Sequence, residues 1–484
     1  MNYVSFGYYV LLIILVALYY FLPLKFRWLV LLAGSGCFYY FAIYRRMQIV
    51  GFFASIGISY FCGRLIQYQR DHGRNLRWRR CILVLSIILS AFPLIGSKCT
   101  DFLFMGDKQK LSWIIPVGLS FYSLQIIAYL VDIYKGRINS QCNPFKYALF
   151  ISFFPQVIQG PIPRYQELEE QLFWGHRYDS EKFMKGIQLI IWGFFLKYMI
   201  ANKASIIVDT VFDSHMTYQG CYILVAGILY SFQLYADFLS CVTISQGVSQ
   251  LFGIQLSDNF QHPYFSLSIK EFWRRWHISL SHWLRDYIYI PLGGNRGGKF
   301  HKYRNLIITF AVSGIWHGSS WKYLFWGLLH AGYQIAGDLT NDIQEKIYDF
   351  LKMESRSKLR RLIGCFLTFF FVMIAWIIFR ADSLKTGIEM IWSMFSFWNP
   401  WILFDDSLFR LGLNQKECEV LVFSLFLMLF VSILQERGIC IRNWFVRQNL
   451  IVRWTVYLCA ICGIWVLGTY GFGFDANDFI YGGF

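Results

Sequence analysis

Charge is what this sequence has least of. Asp, Glu, Lys and Arg make up 15% of its 484 residues, against 56% hydrophobic residues, and the mean hydropathy is +0.42. Soluble domains carry about 25% charged and about 45–50% apolar residues, so a soluble multidomain protein is excluded. A disordered chain is excluded as well, because such chains lack apolar surface to bury. Recognisable soluble-enzyme motifs are also missing. There is no GxSxG elbow for a hydrolase serine, no GxxxxGK[ST] loop for an ATP-driven pump, and no HExxH zinc helix. The N-terminus has no basic region or small-residue cleavage site before its apolar run, and reads as a retained first helix. No linker or composition shift divides the chain, which reads as one domain over residues 1–484.

What is present is aromatic and basic. The chain holds 48 Phe, 31 Tyr and 18 Trp. Phe suits hydrocarbon, and Trp and Tyr suit the wet boundary of a bilayer. Its 45 Lys and Arg exceed its 29 Asp and Glu, a net charge of +16. No basic run sits on a nucleic-acid-binding motif, so nucleic acid is not an expected partner. The excess instead fits cytoplasmic loops of a protein embedded in membrane lipid. Apolar segments near residues 5–24, 28–44, 49–65, 81–97, 112–134, 184–202, 220–240, 304–317, 320–337, 361–380, 417–434 and 452–472 predict an all-α polytopic fold. About eleven of these should be full spans of about 20 residues, with re-entrant and interfacial helices besides. Arg64, Arg70, Arg74, Arg77, Arg79 and Arg80 place one loop in the cytoplasm and, counting back, the N-terminus outside. Arg45 and Arg46 then fall on the wrong side. Most of the twelve Cys sit in apolar segments and behave as small hydrophobes. The Cys459/Cys462 pair reads as core.

Three stretches are poor spans between good ones. ISFFPQVIQGPIPRYQEL carries Pro155, Gly160, Pro161 and Pro163, which break helices. Such backbone survives at membrane depth only inside protein or along a cavity. EFWRRWHISLSHWLRDYIYIPLGGNRGG reads as an interfacial helix closing in a glycine-rich loop. SGIWHGSSWKYLFWGLLHAG sets His317 and His330 in apolar surroundings.

Of nine His, we expect His72, His176, His215 and His301 to lie in exposed polar loops, and His262 is uninformative. His277, His282, His317 and His330 remain. An ionisable residue in a membrane segment marks function by default, whereas a lone His can equally be satisfied by a backbone carbonyl. Were the helix continuous, His317 and His330 would lie about 20 Å apart on different faces. No close ligand spacing occurs, and no metal is expected. Burial keeps imidazole neutral, and neutral imidazole is a general base. Acyl transfer from a thioester to a hydroxyl needs such a base and a donor for the developing oxyanion.

PVGLSFYSLQIIAYLVDIYKGRI, FFPQVIQGPIPR and the two histidine-bearing stretches resemble, in order from about residue 110 to 335, the membrane-bound O-acyltransferase (MBOAT) family. The branch is that of bacterial alginate O-acetylases and teichoic-acid D-alanyl transfer proteins. The resemblance implies helices around a central tunnel, in the bacterial cytoplasmic membrane. It implies His317 of Trp316-His317-Gly318 as catalytic base and His277 as its polariser or oxyanion donor. Trp316, His330, Asn295, Arg285 and Asp237 are candidate tunnel or substrate residues; His330 is either tunnel wall or packing. Arg274, Arg275 and Arg285 could attract coenzyme A phosphates or anchor to lipid. Asp286 reads as the local partner of Arg285. The implied reaction takes acetyl groups from cytoplasmic acetyl-CoA, through an extracytoplasmic acyl-transfer partner, to hydroxyls of a polysaccharide. D-alanyl or other acyl transfer from an acyl carrier protein is the alternative within the class, and a glycan or lipid transporter the alternative outside it. The branch's Asp-Phe-Ser-Gly-Tyr-Ser-Asp is Asp237-Phe238-Leu239-Ser240-Cys241-Val242-Thr243 here, and the chain ends Tyr481-Gly482-Gly483-Phe484 where a large aromatic is expected. Both departures argue against alginate itself.

Overall fold

A computed structural model describes residues 3–43, 46–73, 75–103, 118–354 and 357–470. Among these there are helices and turns and no strand. In a medium without water every backbone N–H must be satisfied within its own segment, which selects helix. The N-terminal helices are α1 (Phe6–Phe21), α2 (Arg27–Ala42), α3 (Arg46–His72), α4 (Leu76–Leu103), α5 (Leu119–Tyr134), α6 (Pro144–Ser152), α7 (Tyr165–Phe173) and α8 (Ser180–Phe195). Then come α9 (Asn202–Asp213), α10 (Cys221–Leu251), α11 (Ile269–Arg275), α12 (Ile278–Leu284), α13 (Gly298–His317) and α14 (Trp321–Phe350). The chain continues through α15 (Lys358–Arg380), α16 (Leu384–Ser396), α17 (Gln415–Glu436), α18 (Ile441–Val446) and α19 (Leu450–Leu467).

Six described helical segments are long and apolar enough to cross a membrane: Met47–His72, Ser180–Asp213, Cys221–Leu251, Lys358–Arg380, Gln415–Glu436 and Leu450–Leu467. That is fewer than the eleven or so expected. α1 and α5 are apolar but have only 16 residues each. Lys299, Lys302 and Arg304 interrupt the start of α13, and Asp338, Asp342, Glu345 and Asp349 the second half of α14. The start of the expected 112–134 segment, Arg45, Arg74 and the C-terminal Tyr481-Gly482-Gly483-Phe484 lie outside the described residues.

The described chain divides into two compact units. The first holds α1 to α7, most of α8 and the end of α10. There α8 and α10 cross at Gly186 and Gly247. A Cβ on Gly186 would come 2.8 Å from the Gly247 carbonyl, and one on Gly247 2.7 Å from that of Gly186. Only glycine permits this approach, the small-residue contact that lets membrane helices pack closely. The proline-broken stretch after α6 is buried in this unit, as its composition demands. Gln125 Nε2 donates to the Phe150 carbonyl at 2.7 Å. Phe154 N–H donates to Ser35 Oγ, and Ile158 N–H to Tyr3 Oη.

The second unit holds α9, the start of α10 and α11 to α19. Its centre is the hairpin of α13 and α14. A Cβ on Gly314 would lie 2.3 Å from the Tyr323 carbonyl, and one on Gly327 2.2 Å from that of Phe310. The two backbones therefore touch, and the turn between them fixes His317 at the end of α13. α19 turns most of its surface outward, and Cys459 and Cys462 are exposed on it. They are not core, as the sequence suggested: the helix is apolar all round and carries no inward stripe that would bury them.

Candidate active site

The histidine-rich stretch before residue 298 is not one interfacial helix. It is two helices of seven residues, α11 and α12, broken at Trp276-His277. His277 adopts φ 43° and ψ 55°, a left-handed conformation that costs a side-chain-bearing residue free energy. The strain is held in place from outside. Asn259, itself buried, accepts from Ile278 N–H through its carbonyl and from Ser279 N–H through Oδ1, each at 3.0 Å. Gln261 N–H donates to the Arg275 carbonyl at 3.0 Å. These bonds replace the helical ladder across the break and aim the His277 side chain inward, where 1% of the residue is exposed.

His277 lies edge-on to Phe238 of α10 at 4.7 Å and 6.2 Å from the ring of Trp316. Trp316 is 4.8 Å from His317, which is 3% exposed. Both buried histidines thus neighbour one indole, although 40 residues separate them. His330 joins them because the helix is not continuous. The turn at Gly318 folds α14 back, so His317 and His330 each stand 5.0 Å from Trp326, on two of its sides. His282 is exposed and takes no part. Of the histidines read as exposed, His176 is half-buried and pairs with the Gln171 carbonyl at 2.8 Å.

Asp237, one residue before Phe238, forms a buried ion pair with Lys197 at 2.7 Å; their side chains are 3% and 5% exposed. Sequence reading missed Lys197. A lysine within the apolar run Leu196–Ala201 was the signal, since a cation at that depth needs a partner. The run forms a π-helical segment between α8 and α9, an irregularity frequent at functional sites.

A cavity of about 290 Å³ opens beside α11 and α13. Trp273 and Phe310, both in contact with the His330 ring, form part of its wall. Lys270, Arg285, Lys302, Asn295 and Tyr289 supply its polar lining. Arg285 pairs with Asp286 at 2.9 Å, as its neighbour suggested. Asn295 Oδ1 accepts from Tyr289 Oη, and its loop is clamped by Asn305 Nδ2 on the carbonyls of Leu292 and Gly294. Lys302 and Tyr303 both donate to Asp338, and these bonds hold the Asp338 carboxyl below its ordinary range. Arg275 does not face the cavity as a free cation. It is bound by Glu271 and, through both carboxylate oxygens, by Glu436. Arg274 is exposed. Among the described residues no three His, Cys, Asp or Glu come together as metal ligands do.

Residues 137–380, which carry both histidine motifs, match the model of the membrane-bound O-acyltransferase family, MBOAT. The chain belongs to that family. It is 34% identical over 426 residues to a probable alginate O-acetylase of Azotobacter vinelandii, covering 86% of this chain and 80% of that protein. It is 32% identical over 400 residues to a peptidoglycan O-acetyltransferase of Helicobacter pylori, with 76% and 73% covered. A teichoic acid D-alanyltransferase of Bacillus subtilis is 30% identical over 259 residues, with 51% and 65% covered. The protein is therefore an O-acyltransferase, a multi-pass enzyme of the bacterial membrane. The acyltransferase family match begins later and ends later than the sequence resemblance, taking in α15. That helix supplies Trp376 and Phe379 to the rings around His317 and His330.

Proposed function

We propose that this enzyme moves acetyl groups from cytoplasmic acetyl-CoA to hydroxyls of an extracellular or cell-wall polysaccharide, by way of an extracytoplasmic partner protein. The observation that carries the reading is the pair of buried imidazoles that both neighbour Trp316. His317 acts as general base. The acceptor oxygen attacks the thioester carbonyl carbon, His317 takes the hydroxyl proton, and the C–S bond breaks. The proton then passes to the leaving sulfur, which restores neutral imidazole. His277 donates to the acyl oxygen as charge gathers there.

The cavity beside α13 suits the donor's phosphate-bearing end. Lys270, Arg285 and Lys302 line it, and Asp338 is the one carboxylate among its lining residues. Cations at such a site attract phosphate. This gives Arg285 and Asn295 a donor-side place and removes Arg275, which two carboxylates already hold.

The decisive experiment uses the purified full chain in lipid nanodiscs with acetyl-CoA carrying a labelled acetyl group. Release of free coenzyme A that depends on His317, with label passing to a polysaccharide or partner, supports the reading. A specific relative favours a second one: the teichoic acid D-alanyltransferase of Bacillus subtilis. Turnover of a D-alanyl carrier-protein thioester with none of acetyl-CoA would replace the first reading by the second.

A further inference from the structure

The rings behind Trp316 carry more nitrogen than packing requires. Trp326 and His330, one turn apart on α14, and Trp376 on α15 are fully buried. Their ring centroids lie 5.0 Å (Trp326 to His330), 5.7 Å (Trp326 to Trp376) and 6.1 Å (His330 to Trp376) apart. The His317 ring is 5.0 Å from Trp326. Trp273, on the cavity wall, donates its indole N–H to His330 Nδ1 at 3.2 Å. A neutral imidazole has one acceptor and one donor nitrogen, so this bond places the His330 proton on Nε2.

Among the described residues, His330 Nε2, Trp326 Nε1 and Trp376 Nε1 are buried and have no hydrogen-bond partner. All three are then donors, with no acceptor among the described residues bound to any of them. Buried donors in folded proteins are almost always paired, and an unpaired one is costly. Phenylalanine at these positions would fill a similar shape without that cost. A set of donors invites a ligand atom with lone pairs and no proton of its own. A carbonyl oxygen fits this, whereas a hydroxyl that must release a proton needs an acceptor. No Lys or Arg belongs to the set, so a free anion is not what it is built for.

We propose that Trp326 Nε1–H and His330 Nε2–H form the binding site for the acyl oxygen of the donor thioester, with Trp376 as a further donor. This rests on the acyl-transfer reading and extends it, because it gives the oxyanion donors besides His277. As the acceptor oxygen bonds to the carbonyl carbon, the π pair moves onto the acyl oxygen and these N–H groups hold it there. No proton leaves them. When the C–S bond breaks, the pair returns to C=O, the sulfur leaves as thiolate and receives the proton that His317 took. Trp273 is a positioning residue: it holds His330 in the donor tautomer from the wall of the donor's cavity.

The test replaces Trp326 with 3-benzothienylalanine, which keeps the indole's shape and removes its N–H. Trp326→Phe serves as a second variant. The full-length enzyme in nanodiscs should lose kcat by about 10²-fold, as when one oxyanion donor is removed. KM for acetyl-CoA should change little, and the melting temperature should hold or rise. Unchanged kcat in a folded isostere variant would overturn the proposal and leave a packing core or a structural water as the role of these nitrogens. A second arm needs no turnover. In a His317→Ala background, the infrared band of ¹³C=O acetyl-CoA should move to lower frequency on binding and return toward its solution position in the isostere variant. A band that binding does not move also overturns the proposal. Failure of the parent enzyme to turn over acetyl-CoA would instead sink the acetyl reading alone; both arms then run with the D-alanyl thioester, whose carbonyl makes the same demand.

Discussion

His277 and His317 share the indole of Trp316 as a neighbour, with ring centroids 6.2 Å and 4.8 Å from it. Neither could reach this place alone. His317 is set by the touching backbones of Gly314 and Gly327 on one side and the Tyr323 carbonyl on the other. His277 is set by a helix that stops two residues before it and another that starts one residue after it. In the proposed reaction one of these buried imidazoles is the base and the other a donor, and several outcomes depend on that proposal.

Replacing His317 by Ala should lower acyl transfer by about 10²–10⁴-fold, the usual contribution of a general base. The protein should stay folded, because the ring's neighbours are other rings that can close in. Turnover measured against the melting temperature of the same preparation decides the point. Near-parent turnover in a well-folded variant would remove His317 from the role of base.

At His277 side chain and backbone must be separated. Its left-handed φ of 43° is tolerated by Asn and Gly and resisted by Ala. We therefore expect His277→Gly to keep the melting temperature and lose activity. His277→Asn should retain more activity than either Gly or Ala, since its amide can still donate. His277→Ala should lose both activity and stability. If the Gly variant matched the parent in turnover, His277 would be a structural residue only.

The family was legible in the sequence because its motifs are short and ordered, and His277, His317 and His330, the residues proposed for the site, lie in those motifs. Their arrangement was not. EFWRRWHISLSHWL keeps an amphipathic pattern through the break, so periodicity alone runs one helix across it. The break is imposed by Asn259, which sits 18 residues upstream and bonds to the backbone after His277. Lys270, Lys302 and Asp338 are spread over 69 residues of sequence and meet only at the cavity. Arg275 looked free because its second partner, Glu436, lies 161 residues away. Long-range pairing of this kind leaves no local signal, whereas a lone charge such as Lys197 in an apolar run does.

The exposed Asn75 lies just before α4, within the arginine-rich segment Arg64–Arg80. From the excess of arginine we expect this segment to lie in the cytoplasm. A cysteine introduced at Asn75, in a chain whose own cysteines are replaced, should resist an impermeant maleimide in intact cells and react after the membrane is opened. Labelling in intact cells would reverse the topology and with it the side from which the donor enters.

The hairpin of α13 and α14 should tolerate no side chain at its two contact glycines. A Cβ at Gly327 would meet the Phe310 carbonyl at 2.2 Å, and backbone cannot move aside as a flexible side chain can. Gly327→Ala should therefore destabilise by about 1–3 kcal/mol, as overpacking does. Activity should fall further than stability, because the same displacement shifts Trp326 and His330 relative to His317. Thermal unfolding and turnover of Gly327→Ala and of Gly332→Ala form the comparison. Gly332 has nothing within 4 Å of its would-be Cβ, so its variant should match the parent or gain slightly in helix stability.

Lys197 and Asp237 form a deeply buried ion pair in the second unit. Their 2.7 Å pair is almost wholly removed from water, so removing one partner takes the opposite charge away from a buried ion. Lys197→Met should cost about 3–5 kcal/mol, the range for breaking a buried pair. Asp237→Leu alone should cost a similar amount. The double variant, Lys197→Met with Asp237→Leu, should recover most of the lost stability, because two apolar side chains need no desolvation to be offset. A double-mutant cycle on melting temperature measures this coupling. Activity of the double variant then separates two uses of the pair. Asp237 precedes Phe238, whose ring lies 4.7 Å from His277. If the pair serves only to hold this part of α10 in register, the stable double variant should keep its turnover. A double variant that is as stable as the parent but has lost turnover would mean that the charges themselves act in the reaction.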